Sequence, residues 1–330
     1  MGERNLNGMT GLSLSEQYYR EIGRPALEQR FPELLPRIAA GFVGEGSECF
    51  GYDDEVSRDH DFGPGFCLWL REEDYARYGE ELQALYESLP GDFAGFPARA
   101  AGSRAGKRLG VHSIPGFYAY FLGGEVFREF AARLRETPAS AGKLLSRVPE
   151  ERLATCTNGR IFEDNAGLFS KIREAILGYY PEEIRIAKIA SEVFRMAQSG
   201  QYNYARCMRH GEYTAAELSK FQFAESALHL MFLLGRRYEP YYKWSRRMAG
   251  ELPLLRGVPV LLDTLMMLGP QQQAWRVYDD PYVNRKDEKV RVIEEICALF
   301  LKELRAQGLT DREDAFLEPH VEEIYAHIGR

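Results

Sequence analysis

At 330 residues the chain is long enough for two domains, and its 45% hydrophobic and 28% charged residues are typical of a soluble globular protein. The net charge of −7 argues against a protein that wraps long nucleic acid, and no stretch approaches the roughly 20 apolar residues of a membrane span. The five cysteines form no C-x-x-C motif, and the polar N-terminus is not a signal peptide, so we expect a reduced, cytoplasmic protein without zinc or disulfides.

The first part of the chain alternates between helical and strand patterns. Ser13-Leu14-Ser15-Glu16 resembles a capping box and predicts a helix that runs to about Arg30. The apolar runs predict strands over residues 37–44, 61–70 and 107–114. Apolar residues at helical spacing predict helices over residues 72–88 and 124–137.

From about residue 145 the pattern is helical throughout, with Gly, Pro or Asn between the segments. The predicted helices cover 166–178, 182–199, 213–235, 240–250, 258–268, 286–306 and 318–328. We therefore predict an α+β protein with two domains: a small mixed sheet with helices in residues 1–145, and an all-helical domain in residues 146–330.

Two aspartates, Asp59 and Asp61, stand at the predicted start of the second strand. Residues i and i+2 of a strand point to the same face, so their carboxylates would lie side by side. Such carboxylates repel each other unless a cation lies between them, and Mg²⁺ prefers oxygen ligands of this kind. The alternative is that both acids cap a turn or a helix.

Glycines and a serine precede these aspartates. Gly44, Gly46 and Ser47 follow the first predicted strand. Glycine lets the backbone approach an anion, and free N–H groups near a helix start attract phosphate, to which a serine hydroxyl can also donate. The order of strand, Gly-Ser turn, Asp-x-Asp and strand predicts a phosphate site opposite a metal site. The pattern is neither a Walker A motif nor G-x-G-x-x-G.

This order resembles the motif of the polymerase-β-like nucleotidyltransferases. The residues that carry the resemblance are Gly46, Ser47, Gly51, Ser57, Asp59 and Asp61. Within that superfamily the chain is most similar to bacterial proteins with the uncharacterised domain DUF4037, which are distant relatives of aminoglycoside and lincosamide nucleotidyltransferases. The similarity extends to the segments 158–184, 200–212 and 238–244.

The resemblance implies nucleotidyl transfer. An acceptor hydroxyl would attack the α-phosphorus of a nucleoside triphosphate, with Asp59 and Asp61 as catalytic residues and metal ligands. Gly46, Ser47 and Ser57 would bind the nucleotide. The expected cofactor is Mg²⁺ or Mn²⁺.

Active members of that superfamily usually carry a third acid on a later strand. The segment 107–123 has no Asp or Glu, and His112 is the residue nearest to the expected position. His112 could be a general base, a ligand that favours Mn²⁺, or a structural histidine in a site that binds nucleotide without transferring it.

Other acids are further candidates to complete the site. Glu45 and Glu48 flank the Gly-Ser turn, residues 53–55 form an acidic cluster, and Glu163 and Asp164 follow in the next domain. The alternative for the first two groups is a solvated loop.

In the helical domain, helical spacing places Tyr202, Arg206, Arg209 and Tyr213 on one face, where arginines could hold a triphosphate and tyrosines could stack a base. Lys243 could contact the β- or γ-phosphate, and Lys188 is a weaker candidate. The alternative for the arginines is an interdomain salt-bridge cluster. Tyr241, Trp244 and His229 are predicted to be core residues.

The sequence leaves three functions open. The protein could be an enzyme that acts on a small molecule or a protein side chain, or a nucleotide-binding regulator that has lost nucleotidyl transfer. It could also be the antitoxin-like partner of a two-protein system, but such partners are much shorter than 330 residues. A basic run could hold a tRNA end, although it is also typical of a solvated helix face. The run consists of Arg236, Arg237, Lys243, Arg246 and Arg247.

Overall fold

The computed structural model describes residues 9–56, 62–99, 108–136, 138–276 and 284–329. The chain divides into two compact units, Met1–Tyr179 and Tyr180–Arg330. The division comes later in the chain than the predicted boundary at residue 145. No helix among the described residues is long and apolar enough to span a membrane.

A four-stranded mixed sheet forms the centre of the first unit, with strand order β3-β2-β1-β4. The strands are β1 Ala39–Phe42, β2 Cys67–Leu70, β3 Gly110–Ser113 and β4 Arg160–Asp164. β1 is antiparallel to both β2 and β4, whereas β2 and β3 are parallel. The three predicted strands are thus present but shorter than predicted, and β4 was not predicted.

Nine helices in the described part of the first unit surround this sheet. They are α1 Gly11–Tyr18, α2 Arg24–Arg30, α3 Ser47–Phe50, α4 Glu72–Glu87, α5 Ile114–Leu122, α6 Gly124–Glu136, α7 Pro138–Leu145, α8 Glu150–Cys156 and α9 Leu168–Leu177. A π-helical turn, Tyr19–Gly23, joins α1 to α2 without a break. The helix begins before the predicted capping box, because the Thr10 hydroxyl accepts a hydrogen bond from the Ser13 amide at 3.2 Å.

The two faces of β2 pack against different groups of side chains, because successive strand residues point to opposite faces. Leu68 and Leu70 lie in a buried cluster with residues of α1 and α2. Trp69 points the other way and stacks on Phe169 of α9 with 4.1 Å between ring centroids. His112 is paired with Trp69 in the β2–β3 register, so it lies on the Trp69 face of the sheet.

The second unit is helical in its described residues. Its helices are α10 Glu182–Met196, α11 Ala205–His210, α12 Tyr213–Leu234, α13 Tyr242–Ala249, α14 Val258–Met267, α15 Glu288–Ala306 and α16 His320–Tyr325. A π-helical segment, Ala197–Tyr204, connects α10 to α11. α12 supplies much of the core, including Phe223, Leu230 and Phe232, which are fully buried.

The predicted single helical face from Tyr202 to Tyr213 is wrong. α11 ends at His210 because Gly211 adopts a left-handed conformation with φ of 73°, and α12 begins at Tyr213. Helical spacing therefore does not continue from Arg209 to Tyr213.

Candidate functional site

The turn between β1 and α3 is built on two glycines with positive φ. Gly44 has φ of 130° and Gly46 has φ of 109°, conformations that side-chain-bearing residues rarely adopt. A Cβ atom on Gly46 would lie 2.5 Å from Nη1 of Arg108. The glycine thus lets a guanidinium approach the backbone just before Ser47, the first residue of α3.

Asn158 holds this turn from the segment before β4. Its Oδ1 accepts the Gly44 amide at 2.9 Å, and its Nδ2 donates to the Gly44 carbonyl at 2.8 Å. The Gly159 amide donates to the carbonyl of Cys49 in α3 at 2.8 Å. Gly159 has φ of 64°, and a Cβ there would lie 2.0 Å from the carbonyl oxygen of Phe42. The Asn-Gly pair therefore fixes both ends of the turn.

Replacing Asn158 by alanine should loosen this turn. Two buried or half-buried backbone groups of Gly44 lose their partners, so we expect a loss of about 1–3 kcal/mol in the free energy of unfolding. Denaturant unfolding measures this loss. The control is Asn165→Ala, because Asn165 is exposed and bonds to Glu163 rather than to the turn. Equal stability of the two variants would show that Asn158 does not hold the turn.

An open pocket of about 630 Å³ lies beside the turn. Gly44 and Glu45 line it on one side, and Arg108, His112 and Tyr120 on the other. Nη1 of Arg108 donates to the Glu45 carbonyl at 2.5 Å, and the Tyr120 hydroxyl donates to Glu45 Oε1 at 3.0 Å. The pocket wall thus combines a backbone turn with a guanidinium, a carboxylate and an imidazole.

His112 reaches the pocket from β3. Its Nε2 atom is buried and has no hydrogen-bond partner among the described residues. Burial lowers the pKa of His112 below its ordinary value, and backbone hydrogen bonds at Arg108 and Leu109 oppose this effect. The ring is therefore neutral near pH 7.

The structure places some predicted site residues together and leaves others outside the described part. The turn that contains Gly46 and Ser47 borders the pocket to which His112 contributes. Ser57, Asp59 and Asp61 lie outside the described residues.

Two of the other acidic candidates of the first unit, Glu48 and Asp53, do not line the pocket and are engaged in other hydrogen bonds. Glu48 is buried and accepts two hydrogen bonds from Arg99, at 2.8 and 2.9 Å. Asp53 accepts the backbone amide of Gly11 at 2.9 Å. Glu48 therefore does not belong to a solvated loop, whereas Glu45 is exposed and lines the pocket.

Glu163 and Asp164 lie on β4 at the end of β1 that is distant from the glycine turn, since they pair with Ala40 and Ala39. Glu163 accepts the Tyr19 hydroxyl at 2.9 Å, and Asp164 accepts the Ser170 amide at 2.8 Å. Their positions do not complete the pocket.

The predicted nucleotide contacts of the second unit are surface residues. The guanidinium carbon of Arg206 lies 5.1 Å from the ring centroid of Tyr202, and Nζ of Lys243 lies 4.9 Å from that of Trp244. Arg206, Arg209 and Lys243 are exposed. Tyr241 is 47% exposed, so its predicted place in the core is wrong.

The predicted solvated face for the basic run is confirmed for Arg246, which is exposed and donates to both oxygens of Asp263. Arg236 pairs with Glu182 at 2.7 Å. Lys188 lies 5.0 Å from the ring centroid of Tyr180, and His229 Nδ1 is 3.2 Å from Glu192.

No group of three or more His, Cys, Asp or Glu side chains that could hold a metal occurs in the described parts of the chain. No curated protein and no solved structure matches the chain. The model of a family described as Domain of unknown function (DUF4037) matches residues 146–245, a segment that contains Asn158 and Gly159. Over these residues the predicted resemblance to the DUF4037 family is confirmed.

Proposed function

We propose that this protein is a metal-dependent nucleotidyltransferase, which moves a nucleoside monophosphate group from a nucleoside triphosphate to a small molecule or a protein side chain. The observation that carries the proposal is that Gly44 of the glycine turn and His112 line one pocket of about 630 Å³. A glycine turn beside a guanidinium suits a polyphosphate, and a neutral imidazole suits the proton of an acceptor.

The order of elements around the pocket supports the proposal. The glycine turn follows β1, Asp59 and Asp61 precede β2 in the chain, and His112 lies on β3, which is parallel to β2. β1, β2 and β3 are neighbours in the sheet. The resemblance to polymerase-β-like nucleotidyltransferases implies the same order along the chain: a phosphate-binding turn, then two metal ligands, then a third acid, near whose expected position His112 lies.

Asp59 and Asp61 are the residues that would hold Mg²⁺, because carboxylate oxygens are its preferred protein ligands. Glu45 adds a carboxylate at the wall of the pocket. The buried, unpartnered Nε2 of His112 fits a proton acceptor, or a ligand of Mn²⁺ rather than Mg²⁺. When bound, the metal would neutralise charge on the phosphate oxygens.

In the proposed reaction the acceptor oxygen forms a bond to the α-phosphorus. The bond from that phosphorus to the oxygen that bridges to the β-phosphorus breaks, and pyrophosphate leaves with this oxygen. The acceptor proton passes to Nε2 of His112. The turn with Gly46 and Ser47, together with Arg108, binds the phosphates and keeps the α-phosphorus in line with the acceptor.

In the second unit, Arg206, Arg209 and Lys243 are proposed contacts to a phosphate-bearing or other anionic ligand, and all three residues are exposed. The basic run could also hold the end of a tRNA. We place the reaction in the cytoplasm, in keeping with the cysteine thiols, which are free in the structure.

Label transfer tests the proposal directly. The protein is incubated with each nucleoside triphosphate labelled at the α-phosphate, with Mg²⁺ or Mn²⁺, and with a cell extract. We expect label on an acceptor and release of unlabelled pyrophosphate. If no acceptor is labelled while calorimetry shows nucleotide binding, the enzyme proposal is wrong.

His112→Gln should slow transfer by about 10²–10⁴-fold, because glutamine cannot take the acceptor proton. The wild-type rate should fall as the pH drops through the pKa of His112, which burial places below its ordinary value of about 6.5. The variant should lack this acid limb. The measurement is the single-turnover rate from pH 5 to 8.

His210→Gln is the control for this experiment, since His210 is exposed on α11. It should retain the wild-type rate and pH profile. A wild-type rate and profile in His112→Gln would rule out proton transfer by this residue.

A second candidate function is nucleotide binding without transfer, as in a regulatory protein of the same fold. The observation that favours it is a histidine on β3 where the related enzymes carry an acid. Neither the neutral nor the protonated imidazole carries a negative charge, so His112 does not replace the charge of that acid in holding a second metal. Tight nucleotide binding together with no labelling in any extract would select this function.

A further inference from the structure

A second pocket, of about 320 Å³, lies within the helical unit. Its walls come from α11, α12, α15, the end of α14 and the segment between α14 and α15. The polar lining residues include Glu217, Lys220, Gln271 and Lys289, and Met266 and Leu268 contribute an apolar wall. The function proposed above uses none of these residues.

Two lysines of this pocket are almost fully buried. Lys220 is 4% exposed and Lys289 is 3% exposed. Both donate to the carboxylate of Glu217: Lys289 Nζ contacts Oε1 at 2.5 Å, and Lys220 Nζ contacts Oε2. Burial acts to raise the pKa of Glu217, but the hydrogen bonds from both lysines outweigh it and lower this pKa. Glu217 is therefore ionised at neutral pH.

Asp287, two residues before Lys289 in the chain, is occupied by different donors. Asp287 is fully buried, and its Oδ1 accepts the backbone amides of Lys289 and Val290 at 2.7 and 3.2 Å. Its Oδ2 accepts the Tyr204 hydroxyl at 3.1 Å and Nε1 of Trp275 at 2.6 Å. Asp287 thus caps α15 and makes no hydrogen bond to either ammonium group.

The two ammonium groups consequently share one carboxylate. Each ammonium carries three N–H donors, and among the described residues Glu217 is the one hydrogen-bond acceptor of either. The ring of Phe221, 4.7 Å from Lys220 Nζ, adds a cation–π contact. A buried charge without a counter-charge is unfavourable, and among the described residues two ammonium groups of this pocket face one carboxylate, with N–H donors left over.

We propose that this lysine pocket, Lys220 and Lys289 with Glu217, binds the phosphate group of a small organic phosphate. A phosphate dianion can accept hydrogen bonds from both ammonium groups at once and balance the excess charge, and lysine is a common phosphate ligand. The apolar wall at Met266 and Leu268 receives the organic part. The volume is at the lower end of the range for small-molecule sites.

Calorimetry with phenyl phosphate, inorganic phosphate and benzoate at constant ionic strength tests the proposal. We expect phenyl phosphate to bind more tightly than inorganic phosphate, and benzoate to bind weakly. Lys220→Met with Lys289→Met should weaken binding of phenyl phosphate more than tenfold. The control is Lys302→Met, since Lys302 is exposed on the same helix as Lys289.

Glu217→Gln provides a second measurement if the lysine variants do not fold. Removing the competing carboxylate increases the positive charge of the pocket, so the dissociation constant of phenyl phosphate should fall about tenfold, which corresponds to about 1.4 kcal/mol. The Tm of this variant should rise on addition of phosphate more than that of the wild type does.

Three results would overturn the proposal: no binding of phenyl phosphate to the wild type, equal binding of benzoate, or no gain in affinity in Glu217→Gln. The inference does not depend on nucleotidyl transfer. Binding of phenyl phosphate should therefore persist in a variant that carries Asp59→Asn and Asp61→Asn.

Discussion

Asp59→Asn and Asp61→Asn, singly or together, are expected to reduce transfer of the labelled α-phosphate group by about 10³-fold or more. Phosphoryl-type transfer depends on positioning and on neutralisation of charge, so the loss of one carboxylate ligand removes a large part of the catalytic effect. An asparagine keeps the shape of the side chain and removes its negative charge. The measurement is the single-turnover rate with saturating nucleotide and Mg²⁺.

The matched control is Glu55→Gln, which removes the charge of an exposed acid four residues before Asp59 in the chain. Its rate should equal that of the wild type. The Tm of the aspartate variants in the absence of metal should not fall, because two neighbouring carboxylates repel each other without a cation. Undiminished labelling by the double variant would show that the metal ligands are other residues.

Of the strands that border the candidate site, β1 and β2 were predictable because their residues are apolar on both faces, whereas β3 includes the polar residues His112 and Ser113. The predicted segments 37–44 and 107–114 contain β1 and β3, and the prediction for 61–70 contains β2, which begins only at Cys67. Pattern alone does not show where pairing starts, since Phe66 is buried without belonging to the strand. The positions of Asp59 and Asp61 therefore stay a prediction.

The residues that hold the turn at Gly44 could not be predicted from the local sequence pattern, because they come from distant parts of the chain. Asn158 bonds to Gly44 across more than a hundred residues, and β4 follows it as an edge strand with mostly half-buried residues. The Asn158-Gly159 dipeptide is a recognisable turn signal. Nothing in the sequence indicates which segment that turn contacts.

In the helical unit, the long helices were predicted and the irregular connections were not. The predicted segments 182–199 and 213–235 correspond to α10 and α12, which bury apolar residues such as Ile189 and Phe223. The π-helical segment Ala197–Tyr204 changes the residue spacing between them. The break at Gly211 ends the helical face of Arg206 and Arg209 before Tyr213.

Arg99→Met should destabilise the first unit by about 3–5 kcal/mol, because it leaves the Glu48 carboxylate buried without its partner. The side chains of both residues are only 8% exposed, and the guanidinium contacts both oxygens of Glu48. Glu48 belongs to α3, directly after the glycine turn, so we also expect a higher KM for the nucleotide. Denaturant unfolding measures the change in stability.

Arg99→Met removes both an ion pair and packing contacts, and the pH dependence of the resulting loss in the free energy of unfolding distinguishes the two causes. Burial raises the pKa of Glu48 even with Arg99 present, and removal of the guanidinium should raise it further. A carboxyl whose pKa is higher in the folded than in the unfolded state stabilises the fold most below the unfolded pKa, and this contribution is lost as the pH rises through the folded pKa. The difference in stability between the wild type and Arg99→Met should therefore become smaller as the pH falls from 7 to about 4.5.

Arg20→Met is the matched control, since the Arg20 side chain is 56% exposed in its pair with Glu16. Exposed pairs of this kind contribute about 0–1 kcal/mol. If Arg99→Met loses no more stability than Arg20→Met, the buried pair does not anchor α3. A deficit that is constant between pH 7 and pH 5 would assign the loss to the packing of Arg99 on the Phe42 ring, 5.4 Å from its guanidinium carbon. A large loss of stability that becomes smaller at low pH would show that the charge of Arg99 holds the start of α3 in place beside the glycine turn. Arg99 is more than fifty residues from Gly46 and Ser47 in the sequence.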